Sequence, residues 1–244
     1  MLNNLTGTPQ YLSWLAKTLR PHVGDTVLEI AAGIGNIAGR LMSRRLLYVA
    51  AEKDPLHLHA LRNRFLRTPN VVVQQLDPAE SADFAALERC FDTVLCVNVL
   101  EYLDRPDELL ETLRLTLKPG GSLVVLVPQG DSLFGALDQR LGHRRRYQAA
   151  AARALLEQHG FTVEKVYQFN KAGAPPWWLY SRALSAGRIN KFVLKLFDKT
   201  VWLWRRIDGL LPWHGLSVIL VARNGAAQTT DSAARPSLSE RQLR

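Results

Sequence analysis

Val27-Leu28-Glu29-Ile30-Ala31-Ala32-Gly33-Ile34-Gly35-Asn36 runs a short apolar strand into a turn of small residues. One acid, Glu29, stands among aliphatic neighbours, and Gly33 and Gly35 remove the Cβ atoms that would block a ligand's approach to backbone or demand unfavourable φ values. After Asn36 the residues Ile37, Leu41 and Met42 share one helical face, so a helix begins at the turn. A glycine turn between a buried strand and a helix is a site for a nucleotide-type ligand. Read as Gly33-x-Gly35-x-x-Ala38, it fits the dinucleotide fingerprint, with Glu52 near the spacing of roughly 20 residues expected of a ribose-binding acid.

The alternation of strand and helix continues on both sides. Leu12, Leu15, Ala16 and Leu19 predict a lead-in helix over 9–20 that ends at Pro21, and Thr26 to Ile30 is the first strand. Leu46 to Ala51, ending at Glu52, is a continuous apolar run suited to a parallel strand buried on both faces. Pro55 opens a helix through Phe65, and Val71 to Leu76 is a third strand that ends at Asp77-Pro78. Asp92 precedes a fourth strand, Thr93 to Asn98, and Pro106 starts a helix to about Leu117. Lys118-Pro119-Gly120-Gly121 stops that helix before a fifth strand, Ser122 to Val127. A helix over Gln148 to His159 and strands over Phe161 to Phe169 and Leu216 to Ala222 follow. This order predicts an α/β fold, a doubly wound sheet with helices on both faces and ligands at the carboxyl ends of its strands.

Residues 171–214 form an excursion before the last strand and hold five of the six tryptophans. Ile189, Phe192, Val193, Leu196, Phe197, Val201, Trp204 and Ile207 make a stripe at helical spacing, while Lys191, Lys195, Asp198, Lys199, Arg205 and Arg206 take other faces. The pattern is that of a basic amphipathic helix, packed on the sheet or on a second subunit, or laid on a membrane. The tail, Gly225 to Arg244, is poor in large apolar residues and is expected to be disordered. Residues 1–224 are therefore expected to be one domain with a helical insertion, and residues 225–244 a tail.

The formal net charge of +9 is unevenly spread. Lys plus Arg number 13 against 14 Asp plus Glu in residues 1–128, and 18 against 8 in residues 129–244. A basic half can meet nucleic acid, anionic lipid or an acidic substrate. Interleaving with Trp and Phe on a helical pattern favours an anionic membrane or a phosphorylated, lipid-like substrate over nucleic acid. Cys90 and Cys96 lack a neighbouring His for a zinc site, so no metal is expected and both are read as buried thiols of a reducing compartment. Met1 to Arg20 lacks a signal-peptide pattern, and Leu211 to Ala222 is too short to span a bilayer. A cytoplasmic protein, soluble or peripheral to the inner membrane face, is the expectation.

Several acids stand at strand ends. Glu52 is placed to accept two ribose hydroxyls or to act as a helix cap, and Asp77 to accept from an adenine amino group or to form an Asx turn before Pro78. Asn36 is placed to cap the helix after the turn. Val27-Leu28-Glu29, Ala51-Glu52-Lys53-Asp54-Pro55, Asp92 through Leu103 and Leu117 through Leu123 resemble, in order and spacing, successive motifs of the class I methyltransferases that use S-adenosylmethionine (SAM). The resemblance covers about residues 25–130. It implies a Rossmann-like seven-stranded sheet with an antiparallel last strand, SAM as cofactor with S-adenosylhomocysteine as product, and cofactor contacts at Glu29, Gly33, Gly35, Glu52, Asp77 and Asn98. Ala31 replaces the family's usual first glycine, and Tyr102 stands where many relatives have His.

Farther on, Leu137-Asp138-x-x-Leu141-Gly142-His143-Arg144-Arg145-Arg146-Tyr147 is similar to a Gly-His-x-Arg-Arg-Tyr segment of a bacterial subset of these enzymes. Following a strand's carboxyl end, it is expected to roof the acceptor pocket. His143 would deprotonate an acceptor hydroxyl, Arg145 and Arg146 would grip a phosphate or carboxylate, Tyr147 would cover the cofactor or donate a hydrogen bond, and Tyr102 would line the cleft. A structural network tying a lid to the core is the competing reading of the same residues. The leading expectation is methyl transfer by SN2 displacement to a small-molecule or lipid-linked acceptor, with O-methylation preferred. An NAD(P)-dependent oxidoreductase and a non-catalytic membrane-peripheral module are the alternatives.

Overall fold

The computed structural model of the protein describes residues 7–184 and 190–225. Strands β1 (Thr26–Ile30), β2 (Leu47–Glu52), β3 (Val71–Gln75), β4 (Phe91–Val97), β5 (Leu117–Pro128), β6 (Phe161–Phe169) and β7 (Ser217–Asn224) form one sheet in the order β3-β2-β1-β4-β5-β7-β6. Between them lie helices α1 (Pro9–Leu19), α2 (Ala38–Leu41), α3 (Pro55–Phe65), α4 (Pro106–Thr116), α5 (Ala136–Leu141), α6 (Ala149–Gln158), α7 (Ala174–Trp178) and α8 (Lys191–Ile207). β1 to β5 pair in parallel, and β7 is antiparallel to both β5 and β6. The Rossmann-like seven-stranded sheet is therefore the one expected. Its strand order reverses between β1 and β4, so the glycine turn after β1 and Asn98 after β4 flank the crevice where such sheets bind ligands.

Alternation along the strands builds two cores. In β5, Leu123, Val125 and Val127 face α4 and α6, joining Leu109, Leu110, Leu113 and Leu156. Val124 and Leu126 face the other way, toward Leu12, Leu15, Leu19, Leu61 and Phe65 of α1 and α3. Each fully buried leucine contributes about 1.5–3 kcal/mol relative to an exposed one, so strand register is fixed on both faces. Leu133, Leu137, Ala174 and Trp177 make a third, small core beneath the excursion. β5 also takes in Lys118 to Gly121, with a register shift between Phe91 and Thr93 that absorbs the extra residues; Ser122 to Val127 is its paired body.

Two expectations need correction, and α8 adds two findings. Asn36 does not cap α2: the cap position is Ile37, without a side-chain cap bond, and Asn36 Oδ1 instead accepts from Arg64 Nη1 at 3.4 Å. Cys96 is buried but Cys90 is exposed in the turn before β4. On α8, Phe192 and Leu196 are 72% and 53% exposed although they belong to the apolar stripe. Asp198, assigned to the polar face, is 5% exposed because it caps another helix, accepting from the N–H groups of Gln10 (3.2 Å) and Tyr11 (2.8 Å) at the start of α1. Ile189 and residues 226–244 lie outside the described residues. No helix among the described residues is long and apolar enough to cross a membrane.

α1 begins with Pro9 and its own Thr8 makes no cap bond, so the carboxylate from α8 supplies what the local sequence lacks. Replacing Asp198 by Ala should cost about 1–2 kcal/mol in urea unfolding, and Asp198→Asn less, because an amide oxygen still accepts. Glu29, on β1, is a buried acid as well, 2% exposed, with Tyr48 Oη donating to its Oε2 at 2.6 Å. Burial pushes its carboxyl up to about 8, against the opposing pull of that hydrogen bond and one from the Ala38 N–H. The folded chain thus holds a proton that the unfolded chain loses above its ordinary carboxylate range. Glu29's contribution is full below about 4.5 and is lost as pH rises through about 8. Unfolding midpoints of Glu29→Gln should fall less steeply than those of the natural protein between these values; parallel curves would refute the assignment.

Candidate functional site

The turn after β1 holds three left-handed residues, Ala31 (φ +53°), Gly33 (φ +60°) and Gly35 (φ +79°). The alanine at the first of them is therefore strained by its Cβ where glycine would not be. Gly35 has a second constraint: a Cβ there would lie 2.5 Å from Phe65 Cε2 and 2.8 Å from Leu61 Cδ1, so α3 packing already demands glycine. The turn is strapped to β2. Ala32 N–H donates to Ala51 O at 2.8 Å, and Gly33 N–H donates to Glu52 Oε2 at 2.7 Å. Glu52 Oε1 accepts from the N–H groups of Lys53 and Asp54, both at 2.9 Å.

These bonds test whether the crevice suits SAM. A carboxylate oxygen has two lone pairs, so Oε1 is filled by its two N–H donors while Oε2 keeps one lone pair after Gly33 N–H, and the side chain of Glu52 is fixed at the strand end with room to receive a ligand hydroxyl. Asn98 is left-handed as well (φ +53°), its N–H donating to Leu126 O at 2.9 Å, which leaves its half-buried side chain at the carboxyl end of β4. Asp77 makes the Asx turn, accepting from Ala79 N–H at 3.0 Å, and pairs with Lys53 Nζ at 3.3 Å. Glu29, Ala31, Gly33, Gly35, Glu52, Asp77 and Asn98 thus gather at one end of the sheet. A polar cleft at the opposite end, bordered by Asp92, Lys118 and Arg223, holds the ion pairs of Lys118 with Asp92 (2.8 Å) and of Arg223 with Glu164 (3.1 Å).

Beside the crevice stands a buried carboxylate that the sequence left without a role. Asp138, 0% exposed on α5, accepts from four donors: His143 Nδ1 (2.9 Å) and Arg146 Nε (2.9 Å) at Oδ1, and Gly135 N–H (3.2 Å) and Trp177 Nε1 (3.3 Å) at Oδ2. Burial works to raise its pKa, but the His143 hydrogen bond and the Arg146 charge outweigh it and hold the carboxyl below its usual value. An ionised carboxylate only accepts, so His143 carries its proton on Nδ1, and a neutral ring then offers Nε2 as an acceptor. Tyr102 Oη lies 3.2 Å from that Nε2, with the two rings edge to face at 5.1 Å. The result is a line from Tyr102 through His143 to Asp138.

This arrangement changes the expected roles. His143 is 4% exposed with both ring nitrogens engaged, by Asp138 and by Tyr102, so it does not present a free nitrogen to the crevice. Arg146, 6% exposed, also donates to Gln129 O (2.8 Å) and lies 4.9 Å from the Trp177 ring, so its guanidinium is engaged within the fold, on Asp138 above all. Arg145 Nη2 donates to the carbonyls of Leu103 (3.0 Å) and Asp104 (3.2 Å) and braces the turn that carries Tyr102. Tyr147 donates to Leu100 O at 3.2 Å, and burial pushes its hydroxyl up to about 12. Glu101 was also missed: it is 0% exposed, neither carboxyl oxygen has a hydrogen-bond partner among the described residues, and burial pushes it up to about 8. A Leu-Glu pair closing a strand is the sequence signal for it, and an Asp five residues before His143 is the signal for the line.

A family model described as a methyltransferase domain matches residues 8–166 of this chain. A methyltransferase of Mycobacterium bovis, itself uncharacterized, is 32% identical over 155 residues, 63% of this chain and 59% of its own length. The chain thus spans under two thirds of that curated relative. An S-adenosylmethionine-dependent methyltransferase of Mesorhizobium loti superposes with a TM-score of 0.59 at 14% identity, over 86% of this chain and 95% of that one. A chain from the Haloferax volcanii complex of a methyltransferase with the Trm112 activator gives 0.64 at 15% identity, over 91% and 92%. These two likenesses show the fold. With the domain model covering most of the described sheet and both core faces, this chain belongs to the class I SAM-dependent methyltransferase family.

Proposed function

We propose that the protein methylates a hydroxyl group of a small-molecule or lipid-linked acceptor, and that the acceptor's proton leaves through Tyr102 and His143. Residues up to 224 act as one catalytic domain, with 171–214 as its insertion. The observation that carries the acceptor reading is the hydrogen-bonded line from half-exposed Tyr102 to buried His143 and Asp138 at the carboxyl end of β4. An amine or an activated carbon needs no such line. A hydroxyl, with its far higher pKa, gains from one as its oxygen becomes positive on alkylation.

SAM supplies a methyl group on a sulfonium sulfur, a leaving group that departs as the neutral thioether of S-adenosylhomocysteine. Glu52, strapped to Gly33, would hold a ribose hydroxyl through Oε2, and the turn, left-handed at Ala31, Gly33 and Gly35 and followed by Asn36, would allow close backbone approach. Glu29 sits beneath the turn as a buried acid, and Asp77 and Asn98 would contact the cofactor from the ends of β3 and β4. Tyr102 oxygen takes the acceptor's proton while its own proton passes to His143 Nε2. The imidazolium so formed faces Asp138, whose depressed pKa keeps it ionised for that purpose. Burial holds the Tyr102 hydroxyl well above its usual pKa, so Tyr102 passes a proton on and does not rest as a phenolate. Fixing the acceptor oxygen in line with the methyl group accounts for the larger part of the acceleration.

Titration calorimetry of the full chain with SAM and S-adenosylhomocysteine should show binding of both, weakened about 10- to 100-fold by Glu52→Gln through loss of charged hydrogen bonds. Binding of neither ligand would sink the assignment. With methyl-labelled SAM and hydroxyl-bearing lipid and glycan extracts, label should appear as methyl ether or ester. Tyr102→Phe should lower kcat by about 10²–10⁴ with the KM for SAM unchanged. Label recovered only on nitrogen, or transfer undiminished by Tyr102→Phe, would remove the relay from the mechanism.

A further inference from the structure

α8 has an outward face that packs on nothing else among the described residues. At 100° per residue, Phe192, Leu196 and Leu203 fall within about 40° of one another, and they are 72%, 53% and 37% exposed. Leu210, in the 3₁₀ turn that continues the helix, extends the line at 82% exposed. Lys195, Lys199 and Arg206, all exposed, flank this line on one side, and Trp202 stands beside Arg206, its ring 5.6 Å from the guanidinium carbon. Val193, Phe197, Val201 and Trp204 occupy the opposite side and are buried or half-buried toward the body of the protein.

The charge pattern says what the outward face fits. The acids between residues 190 and 210 are Asp198 and Asp208, 5% and 6% exposed. Asp198 caps α1, and Asp208 accepts from Ala172 N–H at 3.2 Å. The outward face of this segment therefore presents aliphatic and aromatic groups and cations, with no exposed carboxylate. A second copy of the chain docked symmetrically on this face would bring Lys195, Lys199 and Arg206 against their own kind with no acid from either α8 to pair them. An anionic phospholipid surface satisfies both parts at once: headgroups receive the cations and the acyl boundary receives Phe192 and the leucines.

We propose that α8 lies flat on an anionic membrane surface through Phe192, Leu196, Leu203 and Leu210, with Lys195, Lys199 and Arg206 at the headgroups. Seventeen residues give a helix of about 25 Å, resting on the bilayer without spanning it. The position in the fold gives the docking a purpose. β6 runs in the same direction as β1 to β5, so the excursion leaves the sheet after Phe169 and returns at Ser217 at the same end as the glycine turn and Tyr102. α7 of this excursion also places Trp177 on Asp138. A docked α8 holds the acceptor side of the crevice near the bilayer, where a lipid-linked hydroxyl would be presented. The docking itself stands on the surface of α8 and does not rest on the acceptor reading.

Flotation of the full chain with vesicles tests it. The protein should float with vesicles containing phosphatidylglycerol, stay at the bottom with vesicles of phosphatidylcholine alone, and lose binding as salt is raised. Phe192→Ser with Leu196→Ser, and separately Lys195→Glu with Lys199→Glu, should each cut the bound fraction about tenfold or more while SAM affinity by calorimetry stays unchanged. These four residues are exposed and lie outside the crevice, so retained SAM binding reports a folded chain. Loss of flotation with SAM binding intact separates failure of the docking from failure of the methyltransferase reading. Absence of anionic flotation at low salt, equal flotation with both vesicles, or a dimer in solution that the same substitutions dissociate would overturn the proposal.

Discussion

The acceptor side of the molecule hangs on the carboxylate of Asp138. A fully buried charge is tolerable only when paired and saturated with hydrogen bonds, and this one receives donors from four separate places: its own helix start at Gly135, the ring of His143, the guanidinium of Arg146 and the indole of Trp177. Those donors bind α5, the segment that follows it and the first helix of the excursion into one body. None of the three side chains has a comparable partner elsewhere, apart from the backbone carbonyls taken by Arg146 and the Tyr102 hydroxyl taken by His143. Loss of the carboxylate leaves a buried guanidinium uncompensated and frees the imidazole to rotate. The wall and the orientation of Tyr102 fail together.

The cofactor side uses the same device with a different partner. Glu52 ties the end of β2 to the turn after β1 by accepting Gly33 N–H, and Ala32 N–H to Ala51 O adds a second strap. The turn is held in left-handed geometry by tertiary contacts as well as by glycine. That explains why alanine is tolerated at residue 31, where the strain amounts to about 1–2 kcal/mol, and why Gly35 is not replaceable, since its Cβ would strike α3. The two carboxylates differ in what they leave over. Glu52 keeps acceptor capacity for a ligand, whereas Asp138 has its lone pairs taken up and acts only through His143.

Strand identities were legible because each buried parallel strand is a short apolar run between residues that cannot continue it, and β1 and β6 fall where the sequence placed them. The first helix, read from its leucine spacing, and those opened by Pro55 and Pro106 were equally plain. What escaped was the destination of polar side chains. Spacing places Asn36 before a helix, but the chain takes an extra turn and the cap falls to Ile37. Periodicity gives α8 an apolar stripe too wide for one contact, and only the packed fold shows which part is covered. His143 looked like an accessible base because nothing in a linear motif records that Asp138 and Tyr102 close over both its nitrogens. Asp138 was visible in the quoted segment, yet a lone acid gains a role only from the donors that the fold brings to it.

The fate of the acids also reshapes the meaning of the net charge. Residues 129–244 carry 18 cationic against 8 acidic residues. Asp138, Asp198 and Asp208 are all buried, each spent on N–H groups or side chains within the fold. Long-range attraction is set by charge at the surface, where solvent and counter-ions meet it. A carboxylate compensated inside the protein offsets little of the field outside. The exposed cations of α8 are therefore less balanced than the formal count implies. The same inward turn that caps α1 through Asp198, with Asp208 likewise turned in, keeps both acids of the segment from the outer face, so the packing that docks α8 on the protein is also what makes its other side cationic.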